Sequence, residues 1–117
     1  MNINQKIKLL EILILFNTYN YDHCKDYILN LLQESDSVVH YQVILKILEI
    51  FDLIREERFV EINEQINQII VLMDNMDEDH FNKNFKELVN QIIEDFKVPS
   101  MGIPRKKVVI NWHILLA

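Results

Sequence analysis

Apolar residues recur at steps of three and four along residues 38–73, and this is the most regular pattern in the chain. Such spacing places the apolar side chains on one face of a helix with 3.6 residues per turn. Two runs of this kind flank the charged link at residues 55–58, so the pattern predicts a tight antiparallel pair of helices. The residues predicted to face inward are Val39, Val43, Ile44, Ile47, Ile50, Phe51 and Ile54 in the first helix and Phe59, Ile62, Ile66, Ile69, Ile70 and Met73 in the second.

The same periodicity predicts five helices in all, over residues 4–17, 22–33, 37–55, 58–74 and 78–97. The segment Ser35-Asp36-Ser37 is expected to cap the third helix and Asp77 the fifth, while Pro99 ends the fifth. The first helix is apolar on nearly every side. One stripe consists of Ile3, Ile7, Leu10 and Ile14, and it is widened by Leu9, Ile12, Leu13, Leu15 and Phe16. We therefore expect this helix to be central or covered by a partner chain.

Composition agrees with an all-α fold, because one Gly and two Pro in 117 residues leave little material for tight turns. The length fits a single helical domain, residues 1–97. Residues 98–117 differ in composition and are expected to form an irregular or helical tail packed on that domain. The helix starts are spaced as in helix-pair repeats, so both a HEAT-like stack of antiparallel pairs and a compact bundle remain open.

The charge is unevenly distributed. All 18 acidic residues lie in residues 1–97, whereas the tail carries Arg105, Lys106 and Lys107 and no acid. A net charge of −6 argues against nucleic acid and anionic membrane as partners. The apolar run at residues 9–16 is too short to span a membrane, and Cys24 has no second cysteine to pair with, so we expect a cytoplasmic protein.

The sequence offers no catalytic, cofactor or metal site. His23, His40, His80 and His113 are scattered without metal-ligand spacing, and Cys24 falls on an apolar stripe typical of a core residue. A single glycine also argues against phosphate loops and nucleophile elbows. We therefore expect a protein that is not an enzyme.

What remains as a candidate site is surface charge. Carboxylates cluster around the predicted fourth helix, where they suit docking of a basic partner but would equally keep a small protein soluble. The residues predicted to bind a partner are Glu57, Glu61, Glu64, Asp74, Asp77 and Asp79.

A small, acidic, Gly-poor chain rich in Ile, Asn and Lys, helical from Ile3 to Phe96 and ending in a tail that contains Trp112, resembles the all-α immunity proteins of bacterial contact-dependent and polymorphic toxin systems. The resemblance implies a protein that binds one cognate toxin domain and neutralises it. An acidic protein of this kind suits a basic nuclease toxin. No short motif carries the resemblance, so it assigns no residues.

A second resemblance is to the small Bcl-2-like helical proteins of poxviruses, which bind host proteins or dimerise. It implies an adaptor without enzymatic activity. In that case a homodimer is expected to form through the first helix, with Ile3, Leu10 and Leu13, or through the fifth helix.

Overall fold

The computed structural model describes residues 1–34, 38–96 and 110–116. These residues form five α-helices and a short 3-10 helix, with no strand among them. The all-α prediction is confirmed, and each described helix end lies within two residues of its predicted position. The helices are α1 (Ile3–Asn17), α2 (Tyr21–Glu34), α3 (Val39–Arg55), α4 (Phe59–Asp74) and α5 (His80–Phe96), and the 3-10 helix spans Trp112–Leu116.

Local chemistry explains several helix ends. Asn2 and Gln5 form a capping box at the start of α1, each side chain accepting a hydrogen bond from the other residue's backbone amide. The prediction that Asp77 caps α5 is wrong. Asp79 takes that place, and its Oδ1 accepts the Asn82 backbone amide at 2.7 Å. The predicted cap of α3 at residues 35–37 lies outside the described residues, as does the basic segment at residues 105–107.

α3 is the centre of the fold. At its first turn Tyr41 donates a hydrogen bond to the Gln5 carbonyl of α1, and at its far end Phe51 packs on Phe16 of α1, with ring centroids 5.6 Å apart. α1 and α3 therefore run parallel. Lys25 of α2 pairs with Asp52 of α3.

α5 also runs parallel to α3, since His40 packs on Phe85 at one end and Phe51 on Phe96 at the other. α2 and α4 run antiparallel to these three helices. Lys6 of α1 lies over the ring of Phe81 in α5, so α1 and α5 touch as well. The helices enclose α3, none of whose residues is exposed except Arg55 at its end.

The residues predicted to face inward are largely buried, including all the predicted isoleucines of the first run except Ile54, which is half-buried. Phe59 and Ile70 are corrections, because both are exposed. For Ile70 the reason is geometric: residues 69–73 are all apolar, and at 100° per residue they cannot share one face. Leu13, expected on a dimer face, lies fully in the core. α3 rather than α1 is the central helix.

Two polar contacts tie distant segments to this core. Buried His40 contacts Asn82 of α5, with 2.7 Å between Nε2 and Oδ1. The Asn17 amide pairs with the backbone of Ile110 through two 2.8 Å hydrogen bonds, and Ile110 and Leu115 are buried. These contacts place residues 110–116 against α1 and α5. Among the described helices none is long and apolar enough to cross a bilayer.

Two matched substitutions in α4 test which of its isoleucines are buried. Ile66→Ala removes methyl groups from a buried site and should lower the free energy of unfolding by about 2–5 kcal/mol. Ile70→Ala, on the exposed side of the same helix, should cost less than half as much. Chemical denaturation measures both, and equal losses would show that Ile70 is packed.

His40 predicts a pH dependence of stability. Burial lowers the pKa of His40 below its ordinary value of 6.5, so protonation favours the unfolded chain. The contribution of neutral His40 to the free energy of unfolding is complete above the pKa that this histidine has in the unfolded chain. It is lost as the pH falls below that pKa. The free energy of unfolding should therefore decrease from about pH 7 to pH 5, and His40→Gln should flatten that slope. The exposed His23→Gln should keep the wild-type slope, and an unchanged slope in His40→Gln would contradict the assignment.

Candidate protein-binding surface

The outward side of α4 is a continuous surface of mixed character. Val60, Glu64, Asn67 and Val71 follow one another at steps of four, three and four, which aligns them in a row along the helix. A second exposed row runs beside it. Together they form what we call the α4 face, which consists of Phe59, Val60, Asn63, Glu64, Asn67, Ile70, Val71 and Asp74.

The apolar members of the α4 face lie towards its two ends, and amides lie between them. Phe59, Val60 and Val71 are each more than half exposed. Val60 and Val71 are about 16 Å apart along the helix axis. Since α4 contains Glu61, Glu64 and Asp74 and no basic residue, the face combines apolar area with negative charge only. Such a surface can bury its apolar groups against a protein and pair its carboxylates with basic side chains.

The predicted residues at the start of α4 are close together but differ in their bonding. Arg58 donates hydrogen bonds to Glu61 and to Glu56, with 3.2 Å between guanidinium nitrogen and carboxylate oxygen in both pairs. A hydrogen bond from its own backbone amide, aided by Arg58, lowers the pKa of Glu61. Glu64 lies one turn further along and projects from the α4 face. The charge of Glu61 is therefore partly balanced, and Glu64 is the more available carboxylate.

Glu57 occupies an unusual backbone conformation. It follows the last turn of α3 with φ 56°, in the left-handed region that glycine adopts most easily. The amides of Glu57 and Arg58 bond back to the carbonyls of Ile54 and Leu53 and so terminate α3. A residue other than Gly costs about 1 kcal/mol there. The strained turn holds the exposed Glu57 at the junction with α4.

The other predicted carboxylates surround the end of α4. Asp74 is its last residue, and Asp77 and Asp79 lie in the loop before α5; all three are exposed. Asp79 is engaged in capping α5, and the backbone carbonyl of Asp77 accepts the Asn82 side-chain amide at 2.7 Å. α4 has 16 residues, so its two ends are about 24 Å apart, whereas Glu64 and Asp74 are about 15 Å apart along its axis. The six residues thus form two acidic groups at opposite ends of the α4 face.

The surface also has a concave region, on α5, which is poorly suited to a small ligand. A surface depression of about 810 Å³ runs along the polar side of α5, and its lining includes Lys83, Lys86 and Glu87. No apolar side chain is among its lining residues. Because small-molecule sites are mostly apolar with a few polar groups, this depression does not resemble one.

The reactive side chains of the described residues do not converge. Cys24 is fully buried, and burial raises the pKa of its thiol to about 11, so the thiolate is disfavoured. His40 is enclosed by Phe81, Phe85 and Asn82, while His23 is exposed on α2. Within residues 1–34, 38–96 and 110–116, no three His, Cys, Asp or Glu side chains are grouped to bind a metal ion.

Sequence reasoning predicted the carboxylates but missed the apolar members of the α4 face. Val60 and Val71 belong to no inward stripe, whereas Phe59 and Ile70 were placed in one. The useful signal is the excess of apolar residues in α4, whose run at residues 69–73 covers more of the circumference than one neighbouring helix can bury.

The unequal roles of Asp77 and Asp79 predict unequal mutational effects. Asp79→Ala removes the acceptor of the Asn82 amide and should lower the free energy of unfolding by about 1 kcal/mol. Asp77→Ala should change it by less than about 0.5 kcal/mol, because that residue contributes only its backbone carbonyl. Thermal or chemical denaturation distinguishes the two, and a larger loss at Asp77 would contradict the capping assignment.

Comparison with known proteins adds no relative to this description. No family model matches the chain, and neither a curated protein nor a solved structure matches it.

Proposed function

We propose that this protein is a non-enzymatic, cytoplasmic protein-binding module, and specifically an immunity protein that neutralises a basic toxin domain, such as a nuclease, by covering it with the α4 face. The observation that carries the proposal is the α4 face itself. It exposes Phe59, Val60 and Val71 beside carboxylates, on a helix without a single basic residue.

Exposed apolar side chains on α4 favour a binding role over solubility alone. A solubilising surface needs charge, and it gains nothing from two valines and a phenylalanine each more than half exposed. Interfaces instead place apolar groups inside a polar rim that pairs with the partner. On the α4 face, Val60 and Val71 supply apolar contact area, while Asn63 and Asn67 between them offer amide donors and acceptors.

The charge of the surface favours a basic partner. Glu57, Glu61 and Glu64 at one end and Asp74 and Asp77 at the other lie on a chain whose net charge is −6. Such a field steers a basic domain towards the surface and weakens as salt screens it. The two acidic groups, whose nearest members Glu64 and Asp74 are about 15 Å apart along the helix, would contact two separate basic regions of one partner. In a nuclease those regions bind phosphates, so carboxylates placed there exclude the substrate.

The sharpest test reverses charge at the two members of the α4 face that carry a carboxylate. Glu64→Lys with Asp74→Lys should leave folding intact, because both are exposed and a lysine at the end of a helix is favourable. Binding of the partner should weaken by at least about tenfold at low salt. The partner is obtained by capture from source cells with the tagged protein, and the dissociation constant is then measured by calorimetry at low and high salt.

The matched control reverses two exposed carboxylates on α2 instead. Asp26→Lys with Glu34→Lys changes net charge by the same amount and should largely retain binding. Equal loss in both variants would indicate that only net charge matters and would remove the role of the α4 face.

The immunity assignment itself is tested by expressing the captured partner in a surrogate cell. It should be toxic alone and harmless with this protein, and a non-toxic partner would contradict it.

A further inference from the structure

α1 presents a second stripe of apolar side chains, on the side opposite to the one it packs in the core. Ile3 is 73% exposed and Ile7 and Ile14 are about half exposed, with half-buried Leu10 between them. The core side of the same helix is already complete. It buries Leu9, Ile12, Leu13 and Phe16. Within the outer stripe only Leu10 packs partly against the core, so Ile3, Ile7 and Ile14 contribute little to the packing of this bundle.

The spacing of the outer stripe indicates what would cover it. Ile3, Ile7, Leu10 and Ile14 are separated by four, three and four residues, which is the a/d repeat of a coiled coil over two heptads. A seam of this kind packs against a helix with the same repeat. α1 of a second copy supplies one, with β-branched Ile7 and Ile14 at the a positions and Ile3 and Leu10 at the d positions.

The charges beside the seam select an orientation. Lys6 precedes Ile7 at a g position, and Glu11 follows Leu10 at an e position five residues later. In a parallel, in-register pair, g of one helix meets the following e of the other, so Lys6 would face Glu11 of the second copy on both sides. An antiparallel pair brings g to g and e to e and does not join them.

Both charged groups also contact neighbouring helices of their own bundle. The Lys6 nitrogen lies 4.7 Å from the centroid of the Phe81 ring, and Glu11 accepts a hydrogen bond from the Tyr27 hydroxyl. α1 is also the only one of the five helices with net positive charge, carrying Lys6 and Lys8 against Glu11. Two copies of a protein with net charge −6 would repel least through this helix.

We propose that this chain forms a two-fold symmetric dimer in which α1 packs against α1 of a second copy, parallel and in register. The seam consists of Ile3, Ile7, Leu10 and Ile14, and Lys6–Glu11 pairs flank it. This dimer is independent of the acidic α4 face, which belongs to another helix.

The oligomeric state is measured by sedimentation equilibrium from about 1 µM to 1 mM, the range in which a small interface dissociates. The wild-type chain should dimerise, and Ile7→Lys should weaken the dimer at least about tenfold because it places a charge in the seam. Val71→Lys, the same type of change on the α4 face, should dimerise like wild type. Circular dichroism confirms that both variants are folded. A wild-type monomer throughout, or an unaffected Ile7→Lys dimer, would overturn the proposal.

Cross-linking tests the orientation. Under mild oxidation, two copies of Ile3→Cys should form an intermolecular disulfide, since d positions face each other in a parallel pair; native Cys24 is buried. Ile3→Cys mixed with Ile14→Cys should give no mixed product, because these positions would be about 16 Å apart. A predominant mixed product would establish an antiparallel dimer and overturn the proposed orientation.

The double variant Lys6→Glu with Glu11→Lys should dimerise more tightly than Lys6→Glu alone, and failure of this rescue would remove the flanking pairs.

Discussion

The enclosure of α3 by its four neighbours is the interaction on which the rest of the structure depends. Seven of its side chains are buried, and each fully buried aliphatic side chain contributes roughly 1.5–3 kcal/mol. Phe51 alone contacts rings of three other helices, through Phe16, Tyr21 and Phe96. Because α3 supplies a surface on every side, each neighbour needs only one apolar stripe to join the core, and its outward side is released from packing.

Polar contacts at both ends of α3 give the apolar core a defined register. At its start His40 contacts Asn82, whose amide group also reaches the Asp77 carbonyl and the Asp79 carboxylate. At its end Asp52 pairs with Lys25, and this hydrogen bond lowers the pKa of Asp52. Sliding α5 along α3 would separate the His40 ring nitrogen from the Asn82 Oδ1 and leave both buried atoms without this hydrogen bond, which is costly. The same network therefore fixes the loop that positions Asp77 and Asp79 beside the end of α4.

The sequence correctly predicts the buried side of a helix that has one apolar stripe. It does not predict the buried side of a helix that has more apolar residues than one stripe holds. α5 has clearly separate polar and apolar sides, and Phe85, Leu88, Val89 and Ile92, which recur at helical spacing, are all buried. α1 and α4 carry more apolar residues than the core accepts, so periodicity alone could not separate Ile12 from Ile14 or Ile69 from Ile70. Which of the competing stripes is buried depends on where α3 lies.

Long-range polar contacts could not be predicted from spacing. His40 and Asn82 are 42 residues apart, and nothing in either local pattern indicates a partner. The sequence places the cap of α5 within two residues of its true position, but it does not distinguish Asp77 from Asp79, because Asp is a preferred capping residue at either position. Asn82 decides it, because it lies three residues after Asp79 and returns a side-chain hydrogen bond to the same carboxylate. For the carboxylates proposed to bind a partner, the sequence predicts the acidic residues, and the fold separates them into two groups.

Hydration of exposed apolar side chains is thermodynamically unfavourable. Folding of the single chain does not remove this cost, because these side chains stay in contact with water. The outer sides of α1 and α4 carry the largest of these exposures, at Ile3, Val60 and Val71. Among the five helices α1 is the one with net positive charge, and it has a heptad seam, whereas the charged residues of α4 are all acidic and it has no such seam. The two surfaces therefore suit different occupants. Self-association through α1 would leave both α4 faces free and double the net charge of −6 that attracts a basic partner.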